Sequence, residues 1–271
     1  MEAFELEISG AIATLTMANP DRRNAMGSAF FEELPACMAE IDAAPDVRVA
    51  LLRAEGPTFS AGLDLMSMMP QMPIGLSPEP PDGAKRMALH RLIERLQSAI
   101  SSVERCRVPV IAAVHGACIG GGVDLVTACD LVVASQDAFF SVREPRMSIV
   151  ADLGTLQRLP RIIGRARARH WVFSARDVPA RQAAEAGLVV EVFEDRDALR
   201  AGARAMADQI ASCAPLAIQG SKAVLLEQER HDIDRSLAHV AAWNAAHLID
   251  QDLGRALQAF VTRSEPTFEG N

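Results

Sequence analysis

His115-Gly116-Ala117-Cys118-Ile119-Gly120-Gly121-Gly122-Val123-Asp124-Leu125 is the stretch on which the fold turns. Pro109 to His115 reads as a short buried strand, and helical spacing of apolar residues resumes at Val123 and ends near Cys129. A glycine turn between strand and helix lets another molecule approach the backbone, and the helix start leaves N–H groups unpaired. A second stretch of the same kind, Phe59-Ser60-Ala61-Gly62-Leu63-Asp64, follows the buried strand Val47 to Arg53. Two such N–H groups aimed at one carbonyl oxygen make an oxyanion hole, while either turn alone could simply close a tight corner. Strand, glycine turn and helix occurring twice predict an α/β core with crossover connections.

Outward from this core, Phe4 to Met17 reads as a strand pair turning at Ser9-Gly10, and Asn19 to Asn24 as a polar turn. Ala25 to Ala44 is helical, with Pro35 a candidate kink or split. Met66 to Gly83, rich in proline and methionine, reads as a loop, either plain surface or a functional lid. Ala84 to Cys106 is a helix, and Leu131 to Ala134 and Ala138 to Ser141 are strands. From about Asp195 the pattern is helical: Ala198 to Cys213, Pro215 to Glu229, and one or two helices within His231 to Val261. This strandless tail could cover the core or build an oligomer.

The chain has 271 residues, enough to bury a large core, and a net charge of −8. That charge argues against nucleic acid, which demands a basic footprint. The five cysteines are scattered with no C-x-x-C pair, and the six histidines lack metal-ligand spacing. They read as reduced thiols in a cytosolic protein without a metal site. The acidic N-terminus fits neither a secretory nor a transit peptide, and no apolar run approaches membrane-spanning length. The expectations are therefore a cytoplasmic setting and no membrane partner.

Three acids flank the glycine turns: Asp124, Glu144 and Asp152. Each has an ordinary alternative. Asp124 can complement a helix dipole, Asp152 can cap a segment Leu153 to Leu159, and Glu144 can pair with Arg143 or Arg146. His115 reads as a satisfied histidine and Asp130 as a turn residue.

Together these motifs resemble the crotonase, or enoyl-CoA hydratase/isomerase, superfamily. The resemblance rests on Phe59 to Asp64, on His115-Gly116-x-x-x-Gly120-Gly121-Gly122-x-Asp124-Leu125, and on Gly154-Thr155-Leu156-Gln157-Arg158-Leu159-Pro160. It implies a spiral of β-β-α repeats over 1–195 and a C-terminal helical region over 196–271. That region typically builds trimers that pair into hexamers. It implies an acyl-CoA thioester as substrate, coenzyme A being part of the substrate and no separate cofactor being needed. The oxyanion donors it implies are the N–H groups of Ala61 and Gly121. Arg22 and Arg23 match a basic turn, and Arg263 a basic tail residue, that hold the coenzyme A phosphates in the family; ordinary solvated arginines are the alternative.

Family hydratases usually carry glutamates at the positions of Asp124 and Glu144 and a glycine at that of Asp152. The trio here is similar to that of the Δ3,5-Δ2,4-dienoyl-CoA isomerase branch, as are Asp137-Ala138-Phe139-Phe140 and Ala242-Trp243-Asn244. The resemblance makes Glu144 the base at C2, Asp152 the protonated acid at C6, and Asp124 a neighbour that biases which carboxyl is ionised. A hydratase acting on 2-enoyl-CoA is the alternative. A non-catalytic acyl-CoA- or RNA-binding scaffold has no use for three acids at the reactive positions, and an RNA binder would be basic.

Overall fold

The computed structural model describes residues 1–70, 83–247 and 251–267. The chain opens with β1 (Phe4–Ser9) and β2 (Ile12–Met17), antiparallel with Phe4 opposite Met17 and Ser9 opposite Ile12. The turn falls at Gly10 and Ala11, one residue on from the expected Ser9-Gly10, because Ser9 is still paired with Ile12. β1 forms one edge of the main sheet, and its exposed Glu5 and Glu7 discourage edge-to-edge pairing.

Four further strands extend this sheet in parallel: β3 (Val49–Ala54), β4 (Val110–Val114), β6 (Leu131–Ser135) and β9 (Glu191–Phe193). A second, three-stranded sheet is built from β5 (Ala117–Ile119), β7 (Phe139–Ser141) and β8 (Val178–Pro179). Helices fill the crossovers. They are α1 (Ser28–Ala43), the short α2 (Leu65–Met68), α3 (Gly83–Arg105), α4 (Gly121–Thr127), α5 (Thr155–Ile163), α6 (Arg165–Ser174) and α7 (Ala180–Ala186). The repeated passage from main sheet to small sheet to helix is the spiral that the sequence motifs imply.

Alternation along the strands sorts two cores. Ala50, Leu52, Val110, Ala112 and Val114 join Phe30, Leu34, Ile41 and Ile100 of α1 and α3. Val49, Leu51, Ile111, Ala113 and Val133 face Leu199, Ala203, Ala207 and Ala211. Those four residues lie four apart on one stripe of α8 (Arg196–Ala211), whose start is capped by Asp195 accepting from Ala198 N–H at 2.8 Å. A parallel sheet needs both faces covered, and the first helix beyond residue 195 supplies one of the covers.

α1 runs unbroken through Pro35. The expected break near residues 229 to 231 is also absent, because α9 (Pro215–His247) is continuous across it. Glu, Gln and Arg are good helix formers, and no Gly or Pro lies between Ser221 and Asn244 to end the helix. Of the predicted loop over 66–83, α2 takes the start, and residues 71–82 lie outside the described part.

The tail folds back over the core. α9 packs along α3 and α5, and α10 (Gln251–Thr262) packs on the 3-10 turn Glu144–Met147. Lys222 anchors α9: its buried ammonium donates to Val108 O at 2.9 Å and to Asp130 Oδ2 at 2.7 Å. Asp130, expected only as a turn residue, also accepts from Val110 N–H at 2.7 Å. Removing one partner of a buried pair strands the other charge. Lys222→Met should destabilise the fold by about 3 kcal/mol in urea unfolding, and adding Asp130→Asn should restore part of that loss.

Candidate active site

The loop before α2 carries the first half of the site. Asn24 staples it by donating to Glu55 O and Thr58 O at 2.9 and 2.7 Å, and Ser60 Oγ donates to Asn24 O at 3.0 Å. Gly62 has φ +86°, and a β-carbon there would lie 2.7 Å from Ile119 O and 3.5 Å from Gly121 N. Only glycine allows this contact between the two turns.

The family resemblance implied Ala61 and Gly121 as paired N–H donors. Ala61 N–H instead donates to Arg23 O at 3.0 Å, so that amide is already spent and the assignment is corrected. Two residues on, Leu63 N–H has no acceptor among the described residues. A β-carbon on Gly121 would stand 3.7 Å from it. Gly121 opens α4, and its N–H is one of those that a helix cannot satisfy internally. The adjacent free amides are therefore those of Leu63 and Gly121.

The three acids come together beside this pair. Asp124, in the first turn of α4, is buried, and its Oδ1 accepts from Thr155 N–H at the start of α5 at 2.6 Å. Burial raises its carboxyl from 3.8 to about 6, opposed by the Thr155 bonds and by the Arg158 guanidinium. Arg158 is itself buried. It is held by Glu104 through two contacts of 3.0 Å and by Ser101 Oγ at 3.0 Å.

Glu144 opens the 3-10 turn that follows β7. Its Oε1 lies against Gly120, 3.4 Å from where a β-carbon would be, and its buried Oε2 has no partner among the described residues. The alternative pairing with Arg143 fails, because Arg143 binds Asp177 and Ser141 Oγ. Burial pushes the Glu144 carboxyl well above the ordinary range, and the charges of Asp124 and then Asp152 push it further.

Asp152 does not cap α5, whose N-cap is Gly154. Its Oδ2 accepts from Asn244 Nδ2 of α9 at 2.6 Å, and its backbone O accepts from Gln97 Nε2 of α3 at 2.8 Å. Burial raises its carboxyl from 3.8 to about 7, Asn244 opposes that rise, and the charge of Asp124 adds to it.

Arg22 is exposed but tied to Asp64 at 2.8 Å, and Arg23 is exposed beside it, so both border the Gly62 loop. Arg263 is exposed just past α10. His115 is satisfied, hydrogen-bonded to Gly56 O at 2.8 Å. Among the described residues no three His, Cys, Asp or Glu side chains are grouped to hold a metal, and no helix is long and apolar enough to cross a membrane. Sequence reasoning missed Leu63, Gln97 and the positions of Arg158 and Asn244. For Asn244 the available signals were its place in Ala242-Trp243-Asn244 and an asparagine inside a helix with no cap to make.

This fold, with two facing glycine turns and three acids gathered beside them, defines a class: the chain belongs to the enoyl-CoA hydratase/isomerase family, whose model matches residues 7–271. Within it, the chain is 41% identical to the peroxisomal Delta(3,5)-Delta(2,4)-dienoyl-CoA isomerase of Arabidopsis thaliana, over 99% of this chain and 96% of that one. It is 43% identical to the mitochondrial enzyme of that name from Mus musculus, over 91% of this chain and 75% of that one. An enoyl-CoA hydratase/isomerase structure from Pseudoalteromonas atlantica T6c superposes with a TM-score of 0.84 at 27% identity, covering 98% of this chain and all of that one. The relatives' peroxisomal and mitochondrial names overturn the cytoplasmic setting expected from the N-terminus and the cysteines.

The raised Asp152 carboxyl has a cost in stability. Its folded value of about 7 exceeds the ordinary 3.8, so the folded chain binds more protons between them. Its stabilising contribution is full below about 4 and is lost as pH rises through 7, by at most about 4 kcal/mol. The melting temperature of Asp152→Asn relative to the parent should therefore climb by several degrees between pH 4 and pH 8 in calorimetry.

Proposed function

We propose that this protein isomerises 3,5-dienoyl-CoA to 2,4-dienoyl-CoA. The observation that carries the reading is Asp152: a third carboxyl, partly buried, held partly protonated near neutrality and within reach of the charges of Asp124 and Glu144. The similarity to dienoyl-CoA isomerases supports it.

The reaction removes a proton at C2 and adds one at C6. Loss at C2 forms a dienolate whose charge rests on the thioester oxygen and spreads to C4 and C6. In this reading the N–H groups of Leu63 and Gly121 bind that oxygen, each contributing ~3–4 kcal/mol to the barrier reduction. Glu144 takes the C2 proton, and Asp152 delivers one to C6. The carbons are four bonds apart, so two carboxyls serve where one cannot reach.

Turnover requires Glu144 ionised while Asp152 is protonated. That is the reverse of the free protein, where burial and like charge push the Glu144 carboxyl up further than that of Asp152. In this reading the proton passes from Glu144 to Asp152 as substrate binds. Burial and like charge make the ionised Glu144 a strong base, and the cluster titrates as a unit rather than as three separate acids. Asp124 carries the best-supported negative charge, through Thr155 N–H and Arg158. It discourages a second charge nearby until substrate arrives. The proton left on Glu144 returns to Asp152 after each cycle.

Coenzyme A enters as part of the substrate, and moving protons needs no redox group or metal. Arg22, Arg23 and Arg263 are the basic residues proposed to meet its phosphates, in a trimer or hexamer of this chain. No nucleic-acid or membrane partner is proposed.

On mixing with 3,5-dienoyl-CoA, the protein should generate the strong ultraviolet absorbance of a conjugated 2,4-dienoyl thioester. Asp152→Asn should slow this by ~10²–10⁴-fold, the usual worth of a positioned acid. Full activity in that variant would overturn the acid role. Consumption of 2-enoyl-CoA absorbance that tolerates Asp152→Asn would instead identify a hydratase.

A further inference from the structure

Asn244 is 1% exposed on α9, far along the chain from the three acids. Its Nδ2 donates both to Val150 O at 2.8 Å and to Asp152 Oδ2 at 2.6 Å. A backbone carbonyl can only accept, so the end of the amide facing Val150 must be the NH2 group. That same nitrogen then meets Asp152, and Oδ2 must be an acceptor.

We propose that Asn244 is a positioning residue that confines the Asp152 proton to Oδ1. A neutral carboxyl carries its hydrogen on one oxygen. On Oδ2 that hydrogen would point at an amide hydrogen. On Oδ1, to which no other side chain among the described residues donates, it is free to be passed on. Asn244 thus decides which oxygen is the acid and keeps Oδ2 as the carbonyl.

A second tie holds the same arrangement. Gln97 Nε2 donates to Asp152 O at 2.8 Å and to Leu237 O of α9 at 3.1 Å. α3 therefore clamps both the Asp152 backbone and the helix that carries Asn244. The charges acting on Asp152 are those of Asp124 from α4 and Glu144 from the 3-10 turn, with Arg158 of α5 neutralised by Glu104 of α3. The groups reaching it from α3 and α9, Gln97 and Asn244, are neutral.

The proposal deepens the isomerase reading and rests on it for its meaning, but the proton's location can be read without turnover. Infrared spectroscopy of the whole protein should show the carbonyl stretch of protonated Asp152, identified by its loss in Asp152→Asn. In Asn244→Ala the band should move to higher wavenumber, because its carbonyl oxygen loses a donor. Its titration midpoint should rise by about one pH unit, because the donor favoured the charged form. With dienoyl-CoA, kcat should fall ~10–100-fold, less than on losing the acid itself, with KM little changed. Asn244→Ser, which keeps a hydroxyl donor, should give smaller shifts of the same sign and carries the test if the alanine variant does not fold. A band and midpoint that stay in place, whatever the activity, overturn the proposal. A shifted band in a protein that does not turn over dienoyl-CoA upholds the proton assignment and removes the isomerase reading instead.

Discussion

Three carboxyl groups gathered at one site, Asp124 buried and Glu144 and Asp152 partly buried, resist being charged together, and the architecture around the site follows from how that conflict is handled. Each acid receives a different degree of support. Asp124 has a helix-start N–H and a buried guanidinium. Asp152 has the side-chain amide of Asn244 and its own backbone N–H. Glu144 has an oxygen without any partner among the described residues. Unequal support spreads their proton affinities. It leaves Glu144, the least supported, holding a proton more tightly than Asp152 in the free protein, so the base and acid roles are set only when substrate fills the site. An even distribution of donors would have stabilised the fold better and left nothing poised to move a proton.

Support of this kind has to be imported, because the acids sit at element starts and on short turns. Arg158 comes one turn into α5, and Glu104, which fixes it, from the end of α3. Asn244 comes from α9, which Lys222 and Gln97 fasten to the core at two separate points. The helical tail therefore supplies part of the active centre as well as a cover for the sheet. α10 continues this by packing on the turn that carries Glu144.

Much of the fold was readable in advance because its signals are local. The glycine turns, the apolar strands and the stripe of α8 each announce themselves within a dozen residues. The misreadings have separate causes. The break expected in α9 had no helix breaker behind it, since no Gly or Pro lies between Ser221 and Asn244. Choosing Leu63 over Ala61 as a donor required knowing which amide the Arg23 carbonyl already occupies, and that carbonyl lies on a distant turn. The cellular setting was inferred from weak compositional cues that the relatives' names contradict.

By itself the sequence determined the family, the α/β spiral and the identities of the three acids, since these rest on residue types at fixed short spacings. The tertiary structure alone decided which backbone amides remain free, which acid each donor supports and which residue from the tail reaches Asp152. Those are matters of hydrogen-bond partnership between segments separated by up to 92 residues, as between Asp152 and Asn244. A donor's partner is set by where the chain folds back, and no local pattern records that.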